Sequence, residues 1–238
     1  MESLKGKIVL IVGATGGIGA QAAKLISGSG AIVYITGRNT VKLQALATEL
    51  GIGGDRVFEM DIANEASVNA AIAQVLEKTP VIDILINAAG IGVIQTMDTL
   101  SAIDFERTLQ TNLFGSFYLV KAVLPAMKVQ KKGLIINIPG VLGKVPMAGA
   151  AAYSASKYGL VGMMQSIREE LKRTEIRITN LFLGGVDSSF WDTIDLRVQR
   201  DKMIVAEEAA KAIWFLCQQP ASGVVSEMVL QPFNHQAI

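Results

Sequence analysis

Along the chain, short runs of β-branched and aliphatic residues alternate with longer stretches whose apolar positions recur every three to four residues. The short runs read as strands at residues 7–12, 31–36, 56–60, 82–86, 133–138, 175–182 and 226–230. The longer stretches predict helices over residues 17–29, 41–50, 66–78, 104–129, 153–173 and 206–218. Regular alternation of strand and amphipathic helix is the pattern of repeated βαβ units, which give a parallel sheet with helices on both faces. Strand content agrees, because Ile8-Val9-Leu10-Ile11-Val12 and Ile82-Asp83-Ile84-Leu85-Ile86 are almost wholly apolar, as strands covered on both sides must be. The expected fold class is therefore α/β, a doubly wound parallel sheet of about seven strands. No linker, repeat or low-complexity tract divides the chain, so residues 1–238 read as one domain.

Composition narrows the function. The 22 basic and 21 acidic residues nearly cancel, leaving a formal charge of +1, and no long cationic run occurs. Nucleic acid and anionic membranes are not expected as partners. A single cysteine, Cys217, excludes an internal disulfide and a Cys-rich metal site and suits a reducing compartment, so a cytoplasmic protein is expected. The apolar stretch 81–94 is interrupted by Asp83, Asn87 and Gly90, and the N-terminal residues run directly into a strand, so neither a membrane span nor a signal segment is expected. His235 is the sole histidine and lies in the tail, which argues against a histidine metal site or a serine-hydrolase triad.

Directly after the first strand comes Gly13-Ala14-Thr15-Gly16-Gly17-Ile18-Gly19, and then a helix begins. Glycines let backbone approach an anion, and the unpaired amides of a helix N-terminus donate to it, so strand, loop and helix in this order point to a dinucleotide pyrophosphate. A plain glycine turn is the competing reading. Past the second strand, Thr36-Gly37-Arg38 offers no acid for a ribose 2'-hydroxyl, whereas Arg38 is placed to pair with a 2'-phosphate. This favours NADP (NADPH) over NAD, against the alternative of a solvated loop arginine. Further on, Tyr153 and Lys157 stand four apart, which stacks both side chains on one helix face. A nearby ammonium favours phenolate, so the pair can do acid–base work that a lone tyrosine performs poorly at neutral pH.

The G-x-x-x-G-x-G spacing, Asp61-Ile62, Asn87-Ala88-Ala89-Gly90, Thr111-Asn112-Leu113-Phe114-Gly115 and Tyr153-Ser154-Ala155-Ser156-Lys157 together resemble the short-chain dehydrogenase/reductase family. The resemblance covers nearly the whole chain and implies a Rossmann-type fold and hydride transfer between a nicotinamide and a carbonyl or alcohol. It implies that Asp61 and Ile62 hold adenine and that Tyr153, Lys157 and Asn112 form the catalytic set. In relatives the lysine also holds the nicotinamide ribose. Cofactor contacts are expected from Gly13, Thr15, Gly16, Gly17, Ile18, Gly19, Arg38, Asn87, Ala88, Ala89, Gly90, Val186 and Ser188, the last retaining a hydroxyl for the nicotinamide carboxamide.

One position departs from the pattern. Relatives carry a catalytic serine thirteen residues before the tyrosine, where this chain reads Asn137-Ile138-Pro139-Gly140, and residues 133–152 contain no Ser, Thr or Tyr. Loss of one such donor costs about 10²–10³ in rate. A backbone amide near Gly140, Lys144, a water or the substrate itself are the open replacements. Two functions follow: an NADPH-preferring oxidoreductase, weakened by the loss, or a catalytically impaired NADP-binding sensor or inactive subunit. The resemblance further implies a substrate lid at about 187–204 and a homodimer or homotetramer paired through helices 104–129 and 153–173. Trp191 reads equally as a wall of the substrate site or as core.

Overall fold

The computed structural model describes residues 1–194 and 196–233; His235 lies outside them. Strands β1 (Ile8–Val12), β2 (Ile32–Gly37), β3 (Val57–Glu59), β4 (Ile84–Asn87), β5 (Lys132–Asn137), β6 (Glu175–Leu183), a two-residue pair β7 (Val186–Asp187) and β8 (Ile204–Val205), and β9 (Glu227–Leu230) follow one another along the chain. Seven of them form one parallel sheet in the order β3-β2-β1-β4-β5-β6-β9. Helices α1 (Gly17–Gly28), α2 (Thr40–Leu50), α3 (Glu65–Lys78), α4 (Ala102–Leu109), α5 (Gly115–Gln130), α6 (Ala151–Leu171) and α7 (Ala206–Leu216) cover it. Every strand of the sheet overlaps one expected from the sequence.

Alternate residues of each strand enter opposite cores, as a pleat of period two requires. Val9, Ile11, Val33, Ile35, Ile84, Ile86, Leu134 and Ile136 pack with α1, α2 and α7. Leu10, Leu85, Ile135 and Ile178 pack with α3, α5 and α6. Side-chain caps set several helix starts: Asn39 accepts from the Lys42 amide at 2.9 Å, Asn64 from Ser67 at 3.1 Å and Ser101 from Asp104 at 3.0 Å.

The single helix expected over 104–129 is a correction. It comprises α4, a π-type stretch Gln110–Phe114, and α5. One extra residue in a turn leaves the apolar period almost intact, so the pattern reads as continuous. The topology also fixes where a ligand can lie. The chain runs outward from β1 to β3 and then returns to β4, opening a crevice beyond the carboxyl ends of β1 and β4, the usual site in open α/β sheets.

Candidate active site

The glycine loop fills the gap between β1 and α1, and three of its four glycines, Gly13, Gly17 and Gly19, are forced by contact. Gly13 has φ +80°, and a Cβ there would stand 2.7 Å from the Ala89 amide nitrogen. A Cβ on Gly19 would collide with the Gly13 carbonyl oxygen, and one on Gly17 would reach 2.9 Å from Ser188 Cβ. From this loop a groove runs past Thr15, Gly16, Ile62, Ala88, Ala89 and Gly90 to Arg38, Asn39 and Lys42. Among the described residues, no carboxylate lines it. Lys42 and Asn39 were not singled out by sequence reasoning, although their place directly after Arg38 at the start of α2 was a usable signal. Asp61 Oδ1 accepts from the Ala63 amide at 3.1 Å, next to Met60 and Ile62, which line the groove. Asn87 is buried below the groove, donating to Ser116 Oγ at 2.9 Å and to Asn137 Oδ1 at 3.4 Å.

At the groove's inner end, Asn112 and Lys157 meet beside Gly90. A Cβ on Gly90 would lie 3.2 Å from Asn112 Oδ1 and 3.4 Å from Lys157 Nζ, so a side chain there would press on Asn112 by a few tenths of an ångström. Asn112, within the π-type stretch, binds the strand-β4 loop twice, accepting from the Ile91 amide and donating to the Ile91 carbonyl, each at 2.9 Å. It also donates to Ser156 Oγ at 3.0 Å, tying that loop to α6. Lys157 is 3% exposed, and its Nζ donates to the Ile138 carbonyl at 3.2 Å. Burial pulls its ammonium down to about 8. The same α6 face carries Tyr153, with Lys157 Nζ 5.4 Å from the ring centroid. Burial pushes the phenol above its ordinary value, so at neutral pH it holds its proton.

Tyr153 faces a second cavity, of about 130 Å³, walled by Ile18, Ile138, Val141, Leu142, Leu183 and Trp191 and reaching Val186, Ser188, Phe190 and Gly140. Trp191 is thus a wall residue, with its indole nitrogen donating to the Val186 carbonyl at 2.9 Å. Phe190 meets Tyr153 edge to face at 5.8 Å and packs where a Cβ on Gly92 would collide with its ring. Gly140 has φ +72°, and a Cβ there would point to within 3.8 Å of the Tyr153 hydroxyl. A serine in this backbone would occupy a region that essentially only glycine adopts, at a cost of about 1–3 kcal/mol. Lys144 does not reach this cavity. Its ammonium pairs with Glu227 at 2.5 Å and sits over the Phe182 ring at 4.3 Å. That removes it from the possible replacements for the serine.

The short chain dehydrogenase family matches residues 7–198. The chain belongs to this family. As a member, it is an oxidoreductase by kinship, and its relatives span it almost end to end. An oxidoreductase of Staphylococcus haemolyticus is 28% identical, covering 98% of this chain and 100% of its own. A 3-oxoacyl-acyl-carrier-protein reductase of Aquifex aeolicus is 30% identical over 95% of this chain and 96% of its own length. Among solved structures, a metagenomic short-chain oxidoreductase in complex with NADP is 30% identical with TM-score 0.83, covering 97% of this chain and 99% of that one. No helix among the described residues is long and apolar enough to cross a membrane.

Proposed function

We propose that this short chain dehydrogenase is an NADPH-preferring oxidoreductase that interconverts a carbonyl and an alcohol, with Tyr153 as its acid–base residue. One observation carries the reading: Tyr153, with the buried Lys157 ammonium 5.4 Å from its ring, lines an apolar cavity beside a glycine-lined groove. The groove fits a dinucleotide because its close approaches leave room for backbone only, which is what a pyrophosphate needs to reach amides. Arg38 and Lys42 would hold a 2'-phosphate, Lys157 the nicotinamide ribose and Ser188 the carboxamide, while Asn112 fixes the turn at Ile91 beside Lys157. The cofactor, when bound, supplies or accepts the hydride.

The residues of the chain do the rest. Tyr153 retains its proton at neutral pH and delivers it to the oxygen of a carbonyl as reduction proceeds, taking it back in the reverse direction. The Lys157 ammonium stabilises the phenolate left behind. The apolar walls exclude water and select a substrate that is itself mainly apolar. Gly140 offers no hydroxyl to the substrate oxygen, which favours reactive carbonyls and is the specific observation behind the second reading, an NADP-binding protein with little turnover.

The deciding experiment follows NADPH and NADH consumption with a panel of aldehydes, diketones and quinones. Tyr153→Phe should lower turnover about 10²–10⁴-fold, and Arg38→Asp should weaken NADPH far more than NADH. Tight NADPH binding with turnover indifferent to Tyr153→Phe supports the second reading instead.

A further inference from the structure

Between β7 and β8 the chain forms a loop closed at its base by the pairs Val186↔Ile204 and Asp187↔Val205 and by the Ile204 amide on the Gly185 carbonyl at 3.0 Å. Arg200 stands on this loop and grips its opposite limb with three separate nitrogens. Nε donates to Asp187 Oδ1 at 2.6 Å, Nη1 to Asp192 Oδ1 at 2.7 Å, and Nη2 to the Ser188 carbonyl at 3.0 Å. Two carboxylates and a carbonyl converge on one planar guanidinium, a geometry that an ammonium cannot reproduce. The gripped residues bracket Ser188, whose Cβ packs 2.9 Å from the Cβ position of Gly17 in the glycine loop. They also bracket Phe190, whose ring covers Tyr153.

We propose that Arg200 is a positioning residue that sets the hold of Ser188 on the nicotinamide end of the cofactor by fixing residues 187, 188 and 192. The inference rests on the dinucleotide reading above. Arg200 touches neither the groove nor the cavity. It acts through the backbone of residue 188 and through the carboxylate next to it. These three bonds hold Ser188 against the glycine loop and Phe190 against the phenol, so losing them loosens both.

The test compares two ligands that share one half. NADPH spans the whole site, whereas adenosine 2',5'-bisphosphate reaches only the Arg38–Lys42 end. Arg200→Ala should weaken NADPH roughly three- to tenfold, the scale of an exposed charge network, and leave adenosine 2',5'-bisphosphate unchanged in calorimetric titration. The loss should shrink at high salt, since these groups are exposed and the screening length falls from about 10 Å at 0.1 M to about 3 Å at 1 M. Because Arg200 works through Ser188, the same change made on a Ser188→Ala background should add little, and Arg200→Lys should recover only part of the affinity. Equal weakening of both ligands, unchanged NADPH affinity, or full additivity with Ser188→Ala overturns this role of Arg200 while leaving the dinucleotide site standing. A wild-type protein that binds neither ligand overturns the functional reading and this inference with it.

Discussion

In the proposed mechanism Lys157 serves chemistry at the expense of stability. Its ammonium is drawn down from 10.5 to about 8 by burial, so between these values the unfolded chain holds a proton that the folded one has released. Stability therefore rises with pH across that window, and below about pH 8 the full burden of burying the charge is carried, about 3 kcal/mol. Lys157→Met, apolar and of similar length, should raise Tm at pH 7 in the absence of cofactor, the gain closing as pH approaches 10.5. A lower Tm at pH 7 would mean that the bond to the Ile138 carbonyl outweighs desolvation. The wild-type protein should also lose carbonyl reduction above about pH 8, as the ammonium beside Tyr153 discharges. At this scale much was legible from the letters: Tyr153, Lys157 and the glycines declare themselves by spacing within a few residues. The positive φ of Gly140 and the pairing of Lys144 with Glu227 did not, because both depend on segments distant in sequence.

Elements were legible in proportion to their length. Long amphipathic helices and the strands of the sheet emerged from periodicity, but β7 and β8, two residues each, carry no period to detect. Their pairing nevertheless places Ser188, Phe190 and Trp191, so the substrate wall was the least readable part of the site. Gly92 exposes how this wall is set. A Cβ there would collide with the Phe190 ring and come within 2.9 Å of Ile194 Cδ1, so Gly92→Ala must displace the segment that covers Tyr153. The fold should survive, since Gly92 lies outside the sheet and helices. The substrate KM should change several-fold, about 1 kcal/mol of displaced packing being a factor of roughly five. Tryptophan emission should shift as well, because Trp191 leans edge-on against Phe190 at 5.3 Å, and Trp191→Phe should abolish the shift. Unaltered emission and KM would show that Phe190 yields in place, without moving the loop.

For the molecule as a whole, α4, the π-type stretch, α5 and α6 each leave a large apolar or aromatic side chain in water. Leu113 packs so closely on α6 that a Cβ at Gly159 would stand 3.0 Å from its Cδ2, which brings the π-type stretch against the middle of α6. On these elements Ile103 is 76% exposed, Phe114 45%, Phe117 42% and Tyr158 44%. Large aromatic side chains left in water are the groups that association buries most profitably, and stable interfaces cover roughly 800 Å² per partner. Pairing through these helices, the arrangement implied by the family resemblance, would cover these side chains and brace α6 from behind, away from the side that carries Tyr153. Light scattering should accordingly give a mass two or four times that of the 25.4 kDa chain. Phe117→Glu combined with Tyr158→Glu should reduce it to one chain, because each buried carboxylate would lack a partner across the interface. A wild-type protein that runs as a single chain removes the interface altogether, and a double variant that keeps the wild-type mass moves it to another face.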